Sequence, residues 1–435
     1  MKRTVIIIGL LSIPSAFAAP SSAPANAPKN TSKKTKKSSK PAQPNQAALP
    51  SGSTQASTVV TPVPKVSQAA RTTVAMPLKE DRSSSTAIRM SGSIAGTSVQ
   101  DELRQTRSAG FGINLDIHHS FLDKMLVAHI DGGATLEAGS SQAIFADEYT
   151  PSNRFVLNEA ALKFIPYSND ITTAALEAGA IDQARFDAPG LIGANAFPGA
   201  LESARFAVGG PGNFVEASAE QAIPVNTSLS TRLGDSIGSP SFFLERAKLG
   251  LRPSREFGFE GWASYFSFSN LPHSIAHESR YLGNSVTGLG ASGAEYLYGF
   301  SGFESGAKLI FGSDKDQIRV SLGGSYVNNL DAPMGANGAI LGFARADFNV
   351  SSRVALSPRF EAFRNESDAS PAYYNSSDIL HSNRTGVGLG MGLLLPRDAF
   401  ELETRWVTAQ PIETSPFQAN TQVITIKLRK AYDLL

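Results

Sequence analysis

The 435-residue chain has no cysteine. Disulfides and thiolate metal sites are therefore excluded. The absence also fits an oxidising compartment, where stray thiols are a hazard. Beyond the N-terminus no run of eighteen or more apolar residues occurs, which excludes a transmembrane helix. Acidic residues are missing altogether from Ala19 to Lys79, and aromatics from Ala19 to Ser85. No phosphate-binding glycine loop or nucleotide fingerprint appears.

At the N-terminus Lys2 and Arg3 precede the apolar Thr4–Ile13 and the small-residue triplet Ala16-Phe17-Ala18. This is the pattern of a secretory signal peptide over residues 1–18. Residues 19–85, rich in Pro, Ser, Ala, Thr and Lys, cannot bury enough apolar surface to offset chain entropy and read as a disordered basic periplasmic segment. Nine basic residues from Lys29 to Lys79 and two in the signal leave 28 bases against 38 acids from Glu80 onward. A basic tail on an acidic body implies two environments. The tail is a solvated spacer, or its Lys33, Lys34, Lys36, Lys37 and Lys40 contact an anionic cell-wall polymer. No aromatic interleaves these lysines, so nucleic acid is not an expected partner.

From residue 86 the pattern changes to strands and turns. In Gly338–Arg364, Ile340, Gly342, Ala344, Ala346, Phe348 and Val350 alternate with Arg345, Asp347 and Asn349. After Ser351–Arg353, Val354, Leu356, Pro358, Phe360 and Ala362 alternate with Ser357, Arg359 and Glu361. Period-2 alternation gives a strand two unlike faces. The charged face rules out burial on both sides, so the apolar face meets a core or lipid.

Sixteen such segments are expected, near 86–96, 108–118, 123–137, 153–165, 171–182, 201–208, 213–220, 241–252, 256–269, 295–311, 317–329, 338–350, 353–364, 384–395, 399–409 and 421–432. Even-to-odd connections are short, such as PSR, SSR and PRD; odd-to-even ones are long, at 139–152, 183–200, 221–240, 270–294 and 365–383. Short turns on one side and long loops on the other are the mark of an outer-membrane barrel. The fold class expected is all-β: a transmembrane antiparallel β-barrel over 86–435, with about sixteen strands (fourteen to eighteen). Phe257–Phe268 breaks the pattern, with aromatics at both parities, and Glu245 shares its parity with Ala247 and Leu249. A bulge or an interfacial position accounts for either. In Gly386–Leu393 the glycines make one face bare.

Because a lipid-facing Arg or Lys costs about 2–4 kcal/mol at mid-bilayer, charged faces line the lumen. Strands two to seven carry Asp116, Asp131, Glu137, Glu159, Glu177, Glu216 and Glu220 against Lys163 and Arg205. Strands eight to sixteen carry Arg246, Lys248, Lys308, Arg319, Arg345, Arg359, Arg405, Lys427 and Arg429 against Glu304, Asp347, Glu361, Glu401 and Glu403. An acidic wall opposite a basic one sets up a transverse field; the alternative is pairing between neighbouring strands that braces a plugged interior.

With NEAALKF (Asn158–Phe164), LEAGAID (Leu176–Asp182) and AFPGALE (Ala196–Glu202), the chain resembles a Gram-negative general porin or porin-like outer-membrane protein. The terminal AYDLL lacks the final Phe of that class, and the basic tail departs from it. The resemblance implies a passive channel in the outer membrane for small hydrophilic solutes and ions, without catalysis or cofactor. It also implies a third long loop folded inward as the constriction, here 183–200 with Arg185, Asp187, Pro189, Phe197 and Pro198. The partners expected are outer-membrane lipid, the permeating solutes and ions, and further copies of the chain in a homotrimer. The alternative is a plugged structural or adhesive barrel tethered to the cell wall by its tail. Gly234-Asp235-Ser236-Ile237-Gly238 matches a nucleophile elbow outside the strand–helix context that motif needs. His273 and His277 read as loop residues, His118 and His119 as membrane-interface residues, and no metal site is expected.

Overall fold

The computed structural model describes residues 86–143, 154–210, 212–225, 238–313 and 317–434. The signal, the basic tail with its lysines, and residues 234–237 lie outside them. The elements are β1 (Thr86–Gln100), β2 (Arg104–Phe121), β3 (Leu126–Ala143), β4 (Arg154–Ser168), β5 (Thr172–Asp182), β6 (Ala196–Ala207), β7 (Phe214–Ala222), β8 (Ser241–Leu251), β9 (Phe257–Ser269), α1 (His273–Tyr281), β10 (Val286–Thr287), β11 (Glu295–Tyr296), β12 (Phe300–Phe311), β13 (Ile318–Asn329), β14 (Gly338–Ser351), β15 (Val354–Asn365), β16 (Arg384–Leu395), β17 (Phe400–Pro411) and β18 (Thr421–Asp433). Sixteen of the described strands form one closed barrel, each antiparallel to its neighbours; β10 and β11 pair apart, in the β9–β12 connection. Closure is made by β1 against β18, with Ile94 opposite Leu428 and Arg89 Nε 2.9 Å from Asp433 Oδ1. Among the described residues the barrel itself has no edge to satisfy.

The outside is apolar. Ile340, Phe360, Leu389, Ile424 and Ile426 point away from the lumen and stay about half exposed. Phe121, Phe164, Tyr167, Phe206, Phe311 and Tyr432 ring the rim where the short turns lie. Exposed apolar surface on this scale, flanked by aromatics on a closed antiparallel barrel, is the lipid-facing belt of an outer-membrane protein.

Two expectations need correction. β6 begins at Ala196, so Phe197 and Pro198 belong to the wall rather than to a loop. Their backbones pair with Ile181 and Ala180 of β5, extending the ladder past the expected end. Glu295 and Tyr296 likewise fall in the small hairpin, and β12 starts at Phe300. The loop asymmetry holds with one exception: β1 and β2 are joined on the long-loop side by residues 101–103 alone.

Phe257–Phe268 contains no bulge. β9 pairs residue for residue with β8 and β12. Trp262, Phe266 and Phe268 face inward and are buried, while Tyr265 faces outward, its ring 5.6 Å from Phe303. At Phe266 and Phe268 the inner face is apolar because loops cover it. Glu245 also sits in unbroken register and faces outward; Ala219 stands between it and Glu202 on successive strands.

Candidate functional site

The lumen divides into two halves. On the long-loop side, residues 183–195, 270–299 and 366–383 fold inward and build a core against the wall. Leu191, Ile192, Ile275 and Tyr374 from the loops pack with Ile181, Phe197, Phe242, Phe266 and Phe268 from the strands. Gly190 reaches Ala339 and Val327 on β14 and β13, six or more strands around the barrel from its own β5. A Cβ there would lie 3.1 Å from Ala339 Cβ, so the close approach suits glycine.

These loops are bonded to one another. Gly193 N donates to Tyr374 O (2.7 Å), Ser376 N to Pro189 O (3.0 Å), and Ser370 Oγ to Gly190 O (2.8 Å). Asn284, beyond α1, donates to Ser367 O and Ser370 O and accepts from Ala372 N at 2.6 Å. Tyr374 is completely buried, its hydroxyl donating to Pro224 O at 3.2 Å. Burial holds the Tyr374 and Tyr296 phenols well above their ordinary range. Burial also raises the Asp368 carboxyl, against the hydrogen bonds from Ser285 N and Ser367 Oγ that favour its ionised form. The three loops together form a lid inside the barrel mouth.

Where the lid meets the strands, and on the short-turn side below it, the inner wall is charged. Among the acidic-wall residues, Glu177 and Glu159 both meet Arg185, at 2.7 and 3.4 Å. Glu159 also meets His129 Nδ1 at 3.1 Å, and Asp116 lies 3.1 Å from both His118 and His129. Asp131 accepts from Asn114 Nδ2 at 2.6 Å, Glu220 from Gln183 Nε2 at 2.6 Å, and Glu216 stands 3.9 Å from Arg205. Glu137 is buried.

Among the basic-wall residues, Arg246 donates to Phe186 O at 2.5 Å, latching the 183–195 loop. Lys248 pairs with Glu260 at 3.1 Å, and Arg345 with Asp347 at 2.8 Å. Arg405 bridges Glu361 (2.6 Å) and Asp378 (2.7 Å), and Arg359 holds the other Glu361 oxygen. Lys308, Arg319, Lys427 and Arg429 stand half-buried on inward positions of their strands. The pairing follows from two periods. Residues i and i+2 share a face, which joins Arg345 to Asp347 and Arg359 to Glu361. Register brings Arg345 opposite Arg359, so each needs its own carboxylate. The bare face of β16 has a use here: Gly388 and Gly390 lie opposite Glu361 and Arg359, and a Cβ on Gly388 would meet Glu361 Oε2 at 3.3 Å.

Of the expected constriction residues, Arg185 is held by Glu177 and Glu159, and the turn at Pro189 is bonded to Ser376. Asp187 takes a left-handed backbone conformation (φ 53°) at the end of a short helical turn. Phe197 is buried in the lid core from its place on the wall. Sequence reasoning missed the second partner of this loop, 366–383, with Tyr374 and Asp378. Its signal was the pair Tyr373-Tyr374 inside a long polar loop. His118 turns inward onto Asp116, a correction to its interfacial reading, whereas His119 packs on Phe121 and bonds to Thr86. His273 and His277 lie on α1, a helix rather than a loop; His273 Nδ1 contacts Ala294 O at 2.7 Å.

No protein-family profile and no curated protein matches the chain. Solved structures with similar coordinates include Pseudomonas putida OprB at high pH, with TM-score 0.49 and 11% identity over 80% of this chain and 94% of that one. The outer-membrane protein OprD of Pseudomonas aeruginosa gives 0.41 and 6% over 80% and 94%, and OpdL of the same organism gives 0.40 and 11% over 81% and 99%. The assignment of the fold rests on the closure and register of the barrel itself.

Proposed function

We propose that this barrel is an outer-membrane channel of a Gram-negative bacterium through which small hydrophilic solutes and ions diffuse passively. One observation carries the reading. Inward-pointing charged side chains on the short-turn side remain accessible: Arg205 is 52% exposed and Glu216 32%, with Asp116 32% and Lys248 31%. Charged side chains that face the lumen and stay exposed need water beside them. A barrel of this strand number is wide enough to hold it. The lid narrows the opposite half, where Arg185 and Arg246 bind loop to wall, and it serves as the constriction.

Reconstitution into a planar bilayer tests the proposal. Discrete ohmic steps from the folded, tag-free protein are expected. A folded barrel that stays silent at all voltages refutes the channel and leaves the plugged adhesive barrel, which the bonded lid favours. In that second reading the tail lysines Lys33–Lys40 hold the cell wall. Pull-down of sacculi by full-length protein, but not by protein lacking residues 19–85, is its mark.

A further inference from the structure

We propose that Asp116, His118 and His129 form a divalent transition-metal site on the inner wall of β2 and β3, with Glu159 positioning His129. The register builds it. Asp116 and His118 are two residues apart on one face of β2, and His118 lies directly opposite His129 on β3. Asp116 Oδ1 is 3.1 Å from the Nε2 of both histidines, and the three donor atoms lie within 4.8 Å of one another. A tetrahedral zinc site with bonds of about 2.0–2.2 Å separates its donors by roughly 3.3–3.5 Å. The two Asp116-to-histidine spacings are therefore close to those of a loaded site.

The surroundings suit a cation. Glu159 Oε1 lies 3.1 Å from His129 Nδ1. A carboxylate on the far nitrogen is the usual device that fixes a ligating histidine's tautomer and leaves Nε2 as the donor. In that tautomer the bare Nε2 faces a carboxylate oxygen, and a metal ion between them satisfies both. A doubly protonated His129 bridging Glu159 and Asp116 is the metal-free arrangement, and zinc uptake separates the two. The rings of His118 and His129 are stacked 3.8 Å apart. With planes only 15° from parallel, the two Nε2 lone pairs do not converge as they stand, and the exposed His118 ring must turn about its side chain to close on the ion. The local field is also negative: Asp116, Asp131, Glu159 and Glu177 are answered by Arg185 and Lys163. His118 is 47% exposed to the lumen, so the ion has an entry path and keeps coordination positions for water. Two imidazoles and one carboxylate suit zinc, nickel or copper rather than calcium or magnesium.

This site needs a folded barrel and not a conducting one, so its fate is separate from that of the channel. The test is calorimetric titration of zinc into EDTA-stripped, tag-free barrel in detergent, with copper EPR as a second readout. One ion per chain is expected, with nitrogen hyperfine structure from two imidazoles. His129→Ala and Asp116→Asn should each weaken binding at least tenfold, and Glu159→Gln by roughly tenfold to a hundredfold. His119→Ala, on the outward face, should bind as the parent does. Heat-modifiability on gels confirms that each variant is folded. The proposal is overturned if the parent takes up no zinc, or if folded His118→Ala/His129→Ala retains the parent's affinity and stoichiometry.

Discussion

The lid can be opened by one substitution, Tyr374→Ala. Tyr374 is 0% exposed, edge-on to Phe197 and Tyr373 at 5.2 Å and stacked on Phe268 at 6.0 Å. Truncating a buried aromatic to alanine costs about 3–5 kcal/mol. The carbonyl of residue 374 keeps its bonds from Gly193 N and Asn195 Nδ2, so the loss is one of packing and of the hydroxyl. At about 1.4 kcal/mol per tenfold, the closed-to-open ratio of the lid falls by roughly two to three and a half powers of ten. The barrel's own ladders do not use this residue, so the unfolding temperature of the barrel should hardly move. Single-channel recording should show larger conductance with added noise, and limited proteolysis should cut within 366–383. Tyr374→Phe removes only the bond to Pro224 O, worth about 0.5–1.5 kcal/mol, and should resemble the parent. If Tyr374→Ala matches the parent in conductance, noise and cleavage, the three loops are not the constriction.

Three further outcomes are expected. Arg405→Ala leaves Glu361 and Asp378 buried without their bridge, at a cost of about 3–5 kcal/mol, and Glu361→Gln added to it should recover part of that in urea titration. Glu216→Gln should lower, and Arg345→Gln raise, cation selectivity measured as reversal potential in a salt gradient; shifts of the same sign would exclude both from the pathway. The raised Asp368 carboxyl makes the lid pH-dependent. The folded form binds the proton more tightly than the unfolded one, whose carboxyl titrates near about 3.9. Lid stability is therefore greatest below that value and falls as pH rises through the folded pKa. Gating noise should grow over that interval in the parent and stay flat in Asp368→Asn.

The wall of the barrel was legible because lipid and water force unlike faces on each strand. Ile340 and Arg345 sort themselves by parity alone, and the expected and observed bounds of β14 and β15 differ by one residue. The pattern failed where a third environment intervenes. Phe266 and Phe268 point into the lumen yet meet an apolar lid, so β9 carries aromatics on both faces. Helix α1 was hidden by its length, although Pro272 just before it and Arg280 in its last turn are boundary signals. The ion pairs were beyond reach for a different reason. Sorting charges by strand requires only order, but pairing them requires register, and nothing in the sequence fixes that β14 sets Arg345 opposite Arg359.

That distinction bears on the transverse field. Coulomb energy falls with distance, and the partners found here lie near 3 Å, far closer than the opposite wall. Each pair acts outward as a dipole, so opposed walls of paired charges generate little field across the lumen. What survives is the imbalance. On β14–β17 the cations Arg345, Arg359 and Arg405 are met by Asp347, Glu361 and Asp378. On β2–β7 seven carboxylates share Lys163, Arg185 and Arg205 among them, with histidines that are neutral unless protonated. The uncompensated charge of the β2–β7 wall is therefore acidic, and that wall carries the Asp116–His118–His129 cluster, whereas Lys308, Arg319, Lys427 and Arg429 keep the facing strands basic. If the barrel conducts, cations are expected to be drawn to the acidic wall, and a divalent ion held at the cluster should weaken the effect; reversal potential in a salt gradient with and without zinc checks this.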